Sequence, residues 1–145
     1  MFGPACVVKR SIHSYLRPMK KSIAPPIMIV EDDPYIMNSM TEIFQFMGRE
    51  VIAAENGQEG IEKLKGMPYY KYPSCIILDL MMPHMNGQQF LYQIQALGRV
   101  ELDCIPIVVS SADHSMKSLS SDRVKYKLQK PIDISHLEEI SRTYI

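Results

Sequence analysis

Short apolar runs that alternate with stretches of helical period constrain this chain more than any other feature. Ile27 to Val30, Glu50 to Ala54, Cys75 to Asp79, Ile105 to Ser110 and Tyr126 to Gln129 read as five strands, the last the poorest. After the first, Glu31-Asp32-Asp33-Pro34 suits a helix start, because acids complement the helix dipole and the missing proline donor costs nothing there. Ile36, Met40, Ile43, Phe44 and Met47 then recur at helical spacing, and Gly48 ends the run. Further helices are predicted over Gly57 to Lys65, over Gly87 to Leu97 (buried stripe Phe90, Leu91, Ile94, Leu97), weakly over Asp113 to Ser120, and over Ile134 to Thr143 with Ile134, Leu137 and Ile140 inward. Strands alternating with helices through short loops imply an α/β fold, a parallel sheet covered by helices on both faces. The 145 residues suffice for one such domain and are too few for two comfortable cores.

In a sheet of this kind the binding crevice lies outside the carboxyl ends of the strands. The polar residues welded to the apolar runs all sit at that end: Glu31 and Asp32 after strand one, Asp79 on strand three, Ser110 on strand four, Lys130 after strand five. Asp79 is the sharpest of them. It closes a run of four apolar residues, where an unpaired carboxylate would cost several kcal/mol. The five residues are expected to meet in one crevice.

Composition excludes some functions. Sixteen basic and sixteen acidic side chains give a formal net charge of zero, so nothing global argues for nucleic acid or an anionic membrane as partner. No apolar run approaches the roughly 20 residues that span a bilayer. Cys6, Cys75 and Cys104 are few and far apart, which favours a reduced, cytoplasmic setting over disulfides, and no Cys/His cluster is dense enough for zinc. Neither a dinucleotide-binding nor a Walker glycine pattern occurs. Residues 1–26 stand apart from 27–145: they carry Lys9, Arg10, Arg17, Lys20 and Lys21, no acid and no period. They are expected to be a disordered basic extension or tag-like leader; an organellar presequence, or a start misplaced ahead of Met19, are the other readings.

Four segments, IVEDDP at 29–34, ILDLMMPHMNG at 77–87, IPIVVSSA at 105–112 and LQKP at 128–131, occur in this order, each at a strand end. Together they resemble the receiver domains of two-component response regulators, over residues 25 to 145. The resemblance implies a flavodoxin-like, doubly wound, five-stranded parallel sheet of order 2-1-3-4-5. It implies that Asp79 is the phosphoacceptor, that Glu31, Asp32, Asp79 and the backbone carbonyl of Met81 hold Mg2+, and that Ser110 and Lys130 contact the phosphoryl group. Pro83 and Gly87 shape the acceptor turn; His84 within it is expected in solvent. The donor would be a sensor histidine kinase or a histidine phosphotransfer protein, meeting Asp33, Pro34, Met37 and Thr41 on the first helix. Met37 is expected there as an exposed apolar contact. The chain stops after the last helix, so a stand-alone, monomeric phosphorelay receiver is expected, acting on a downstream protein and catalysing only its own phosphorylation and slow dephosphorylation.

Three places depart from the family's pattern. Glu31 stands where Asp is frequent. Ser110 to Lys130 is shorter than usual, which should shorten the helix around Ser118 to Ser121. Lys127 occupies the strand-five position that usually holds an aromatic switch, with Tyr126 one residue earlier. Lys127 is expected to point outward, and output to be read near Asp79 or through the loop from Ala112 to Ser121; a slip that lets Tyr126 serve is the rival. A binding-only pseudo-receiver is disfavoured by the intact acids, serine and lysine. A phosphohydrolase is disfavoured because Met81 stands where such an enzyme wants a second Asp.

Overall fold

The computed structural model describes residues 24–112 and 122–144. The basic extension up to residue 23, the weak helix over 113–120 and the loop assigned to output therefore lie outside the described residues. Five parallel strands, β1 (Ile27–Val30), β2 (Val51–Ala54), β3 (Cys75–Asp79), β4 (Ile107–Ser111) and β5 (Val124–Gln129), form one sheet in the order β2-β1-β3-β4-β5. The helices are α1 (Pro34–Phe46), α2 (Gly57–Gly66), α3 (Gly87–Ala96), a short α4 (Val100–Asp103) and α5 (Ile134–Thr143), with a 3-10 turn at Tyr69–Lys71. This is the flavodoxin-like doubly wound sheet that the resemblance implied.

Period-two strands between two layers of helix produce two cores. Met28, Val30, Ile76, Leu78, Ile107 and Val109 face α2, α3 and α4, where Leu64, Phe90, Ile94 and Leu102 are buried. Ile27, Ile29, Cys75, Ile77, Val108 and Leu128 face α1 and α5, where Met40, Phe44, Leu137 and Ile140 are buried. Burial pushes the Cys75 thiol up to about 12, so it behaves as a core hydrophobe.

Four expectations need correction. Met37 is 7% exposed and packs in the core with Met40 and Phe44, while Ile36, Ile43 and Met47 are half-buried. The apolar stripe of α1 is therefore centred nearer Met37 than the spacing implied, and Met37 is no exposed contact. Ile134, the first residue of α5, is 56% exposed, and the buried face of the helix is carried by Leu137, Ile140 and Ser141. β4 begins at Ile107, since Pro106 has no N–H for the ladder, and Val100–Asp103 folds as the unforeseen α4. β5 starts two residues early and carries a bulge: Ile107 pairs with Val124 and Val108 with Tyr126, leaving Lys125 as the extra residue. The bulge turns Tyr126 toward α5, where its hydroxyl donates to Glu139 Oε2 at 3.3 Å. Lys127 stands beside Val109 on the opposite face and is exposed, as expected. The slip that would place Tyr126 on that face does not occur.

Candidate functional site

Backbone pairing sets the crevice before any side chain acts. Asp79 pairs in register with Ser110 on β4. The ladder continues past the strand ends: Glu31 N–H donates to Ala54 O at 3.1 Å, Leu80 N–H to Ser110 O at 3.0 Å, and Lys130 N–H to Ser111 O at 3.0 Å. Residues just beyond β1, β3 and β5 are thus held by the sheet itself.

The three consecutive acids after β1 separate in role. Glu31 turns inward and is 2% exposed. Asp32 is exposed at the rim. Asp33 caps α1, its Oδ1 accepting from Tyr35 N–H at 2.9 Å and Ile36 N–H at 3.3 Å. Carboxylate oxygens of Glu31, Asp32 and Asp79 lie within 4.8 Å of one another. Lys130 Nζ bridges two of these acids, donating to Glu31 Oε2 at 2.9 Å and standing 3.3 Å from Asp79 Oδ2. The other oxygen of each is also held: Glu31 Oε1 accepts from Asp33 N–H at 3.1 Å, and Asp79 Oδ1 from Met81 N–H at 3.0 Å.

Electrostatics follow from this crowding. Burial, reinforced by the Asp79 charge, pushes the Glu31 carboxyl up to about 7, although the hydrogen bond from Lys130 acts the other way. Burial also works against the Lys130 ammonium, but the hydrogen bond and charge of Glu31, with the charge of Asp79, outweigh it and raise its pKa. Ser110 Oγ is buried with no hydrogen-bond partner among the described residues. A buried hydroxyl left unpaired costs about 1–3 kcal/mol. Hard oxygen donors gathered on one side of Asp79 are the ligand chemistry of Mg2+. The donor set therefore fits that ion, and the unpaired Ser110 hydroxyl on the neighbouring strand fits an oxygen-rich group such as a phosphoryl.

The turn that exposes Asp79 depends on two local features. Gly87 N–H donates to Leu80 O at 3.2 Å, and a Cβ at Gly87 would sit 2.9 Å from Leu80 Cα and 3.3 Å from Asp79 O, so this backbone approach needs glycine. Asn86 and Gln89 close a capping box at the start of α3, each accepting the other's backbone N–H at 2.9 Å. His84 is exposed, with φ at +67°, a conformation most side chains avoid.

All five residues singled out from the sequence flank the crevice: Glu31, Asp79 and Lys130 in direct contact, Asp32 at its rim, Ser110 one strand over. Sequence reasoning missed the Met81 N–H on Asp79 and the bridge of Lys130 to Glu31, since neither has a residue-type signal. It also missed Arg49, buried at the far end of the sheet, because an arginine after a helix-ending glycine reads as surface. Among the described residues no helix is long and apolar enough to cross a membrane.

Comparison with known proteins agrees with this arrangement. Protein PilH of Pseudomonas aeruginosa is 29% identical over 114 residues, covering 74% of this chain and 86% of PilH. Regulator of RpoS of Escherichia coli is 30% identical over 122 residues, which cover 81% of this chain but 34% of that longer protein. The solved receiver domain of the sensor histidine kinase PA1611 of Pseudomonas aeruginosa, described with a magnesium ion coordinated in its active site cleft, superposes with a TM-score of 0.68 at 20% identity, covering 83% of this chain and 97% of that one. The family described as response regulator receiver domain matches residues 27–142. That match takes in every strand that supplies the crevice, and the chain belongs to the response regulator receiver domains.

Proposed function

We propose that this receiver domain accepts one phosphoryl group on Asp79 from a sensor histidine kinase or a histidine phosphotransfer protein, and signals by protein contact. One observation carries this reading: the buried Asp79 carboxylate is bracketed by two further acids and by the Lys130 ammonium 3.3 Å away. Glu31, Asp32, Asp79 and the carbonyl of Met81 are the groups that would hold Mg2+. When bound, the ion neutralises the repulsion between a carboxylate and an incoming phosphoryl group.

The chain's own residues do the rest. Met81 N–H fixes Asp79 Oδ1 and so limits rotation of the nucleophile. An Asp79 oxygen forms the new P–O bond as the P–N bond of a phosphohistidine breaks, and the imidazole leaves with the electron pair. Lys130 is shared with Glu31 and can turn its charge to the phosphoryl oxygens. Ser110 Oγ, buried beside Asp79, supplies a hydroxyl donor. Hydrolysis is slow, with an aspartyl phosphate lasting minutes or more, because orienting a water needs a polar group and the side chains of Met81 and Ala112 offer none. A cytoplasmic setting belongs to the same reading and rests on the few, widely separated cysteines.

The test is intact mass after incubation with acetyl phosphate and Mg2+. The expected result is a gain of one phosphate, lost with a chelator and lost in Asp79→Asn. No gain, or an undiminished gain in the variant, would refute the reading.

A further inference from the structure

Met81 sets an apolar side chain at the mouth of the crevice. It is 62% exposed, although its neighbours Leu80 and Met82 are each 8% exposed and belong to the core. Its backbone is pinned from both sides. Met81 N–H donates to Asp79 Oδ1 at 3.0 Å, Leu80 N–H to Ser110 O at 3.0 Å, and Leu80 O accepts from Gly87 N–H at 3.2 Å. An exposed thioether thus hangs from a fixed point beside the Asp79 carboxylate.

Exposure singles this methionine out. Among the described residues Met28, Met37, Met40 and Met82 are buried, Met47, Met67 and Met85 are half-buried, and Met81 alone is exposed. A peroxide oxidises a thioether by two electrons. The sulfur lone pair takes one peroxide oxygen, an S–O bond forms as the O–O bond breaks, and the other oxygen leaves as water. The sulfoxide is polar, and reductases reverse it. At Met82 such a change would disrupt the core; at Met81 there is little packing to lose, so the change falls on the crevice.

We propose that Met81 is a reversible oxidation site whose sulfoxide shortens the life of the phosphoryl group on Asp79, with a peroxide as the oxidant. The inference rests on the phosphoacceptor reading. There Glu31, Asp32, Ser110 and Lys130 are engaged by the ion and the phosphoryl group, and no side chain is left to hold an attacking water. A sulfoxide oxygen accepts a hydrogen bond from that water and restricts it near the phosphorus. It is no general base, so the expected gain is about threefold to tenfold, below the roughly 10²–10⁴ of a positioned acid–base group.

The full chain is treated with hydrogen peroxide, freed of it and labelled with acetyl phosphate and Mg2+. The donor is then removed and loss of label followed. Peptide mapping by mass should find the first oxygen added to a described methionine on Met81. The phosphate half-life should fall by at least about threefold and return after treatment with methionine sulfoxide reductases for both epimers. Met81→Gln carries a polar side chain without oxidation and should show a shortened half-life before any peroxide is added. Met81→Leu keeps the exposed Cys104 and every other methionine, and peroxide should leave its half-life where it was. A peroxide effect that survives in Met81→Leu overturns the proposal. So does an oxidised Met81 with an unchanged half-life, or an oxygen found first on another described methionine. Failure of the untreated chain to take up label overturns the phosphoacceptor reading and this proposal together, whereas uptake with a half-life insensitive to peroxide overturns this proposal alone.

Discussion

Two cations are withdrawn from solvent at opposite ends of the sheet, and their partners differ in kind. At the amino ends of the strands, Arg49 is 5% exposed and donates to Ser141 O at 2.7 Å, Ser74 Oγ and Tyr144 O at 2.8 Å, and Pro25 O at 2.9 Å. At the carboxyl ends, Lys130 leans on the carboxylates of Glu31 and Asp79. The guanidinium's rigid fork ties the segment before β1, the start of β3 and the end of α5 through neutral oxygens that do not repel one another. The lysine is a mobile point charge between acids that do repel. One end is built to stay as it is. The other holds charge that can be redistributed when a new anion arrives.

The largest expected effect lies at the fixed end. Arg49→Met strands several oxygen acceptors and should destabilise the domain by about 3 kcal/mol, read from urea denaturation. Arg49→Lys should recover only part, because one ammonium cannot reach acceptors spread over three segments. A loss in Arg49→Met no larger than that of an exposed arginine would erase the contrast.

The second effect is a pH dependence confined to the other end. Glu31 is raised from 4.5 to about 7 in the folded state, so between those values the folded state binds the extra proton. Stability of the metal-free domain is therefore full below the unfolded value, falls as pH rises through the folded one, and is level above it. One pKa unit corresponds to about 1.4 kcal/mol, which sets an upper figure of about 3 kcal/mol. Urea melts at several pH values should show this slope in the native protein and in Arg49→Met, and lose it in Glu31→Gln. A slope that survives in Glu31→Gln assigns the proton elsewhere.

A smaller effect has the opposite sign. Asp79→Asn removes one of three clustered carboxylates while Lys130 keeps Glu31 at 2.9 Å, so the metal-free variant should gain about 1 kcal/mol. Thermal denaturation reads it, and a net loss would mean that the lysine more than offsets the repulsion. Smallest of all, His84→Gly should gain a few tenths of a kcal/mol, since relief at φ +67° is largely cancelled by the extra chain entropy of glycine.

The same contrast marks how legible the molecule was. The crevice residues could be read because each is a polar side chain attached to an apolar run, and a parallel sheet brings all carboxyl strand ends to one edge. Arg49 could not, because its acceptors are mostly backbone carbonyls, which any sequence supplies. On α1 the helical period found the helix, but Ile36, Met37, Ile43 and Met47 are all apolar and nothing local says which of them the sheet covers. Ile134 was misread for a related reason: the period of α5 is right, but its buried face begins only at Leu137. β5 shows a different limit. Its alternation was read without the bulge at Lys125, a feature set by pairing with β4 rather than by residue type.

By itself, then, the sequence determined the order of strands and helices, the edge of the sheet that bears the polar residues, and the residue types gathered there. These follow from local period and from the alternation of apolar runs with their polar ends. Only the tertiary structure decided which of three consecutive acids turns inward, that Lys130 bridges Glu31 and Asp79, that Ser110 keeps an unpaired hydroxyl, and that Tyr126 faces α5. Each of those depends on distances of about 3 Å between groups far apart in the chain, which a hydrogen bond requires and no spacing along the sequence encodes.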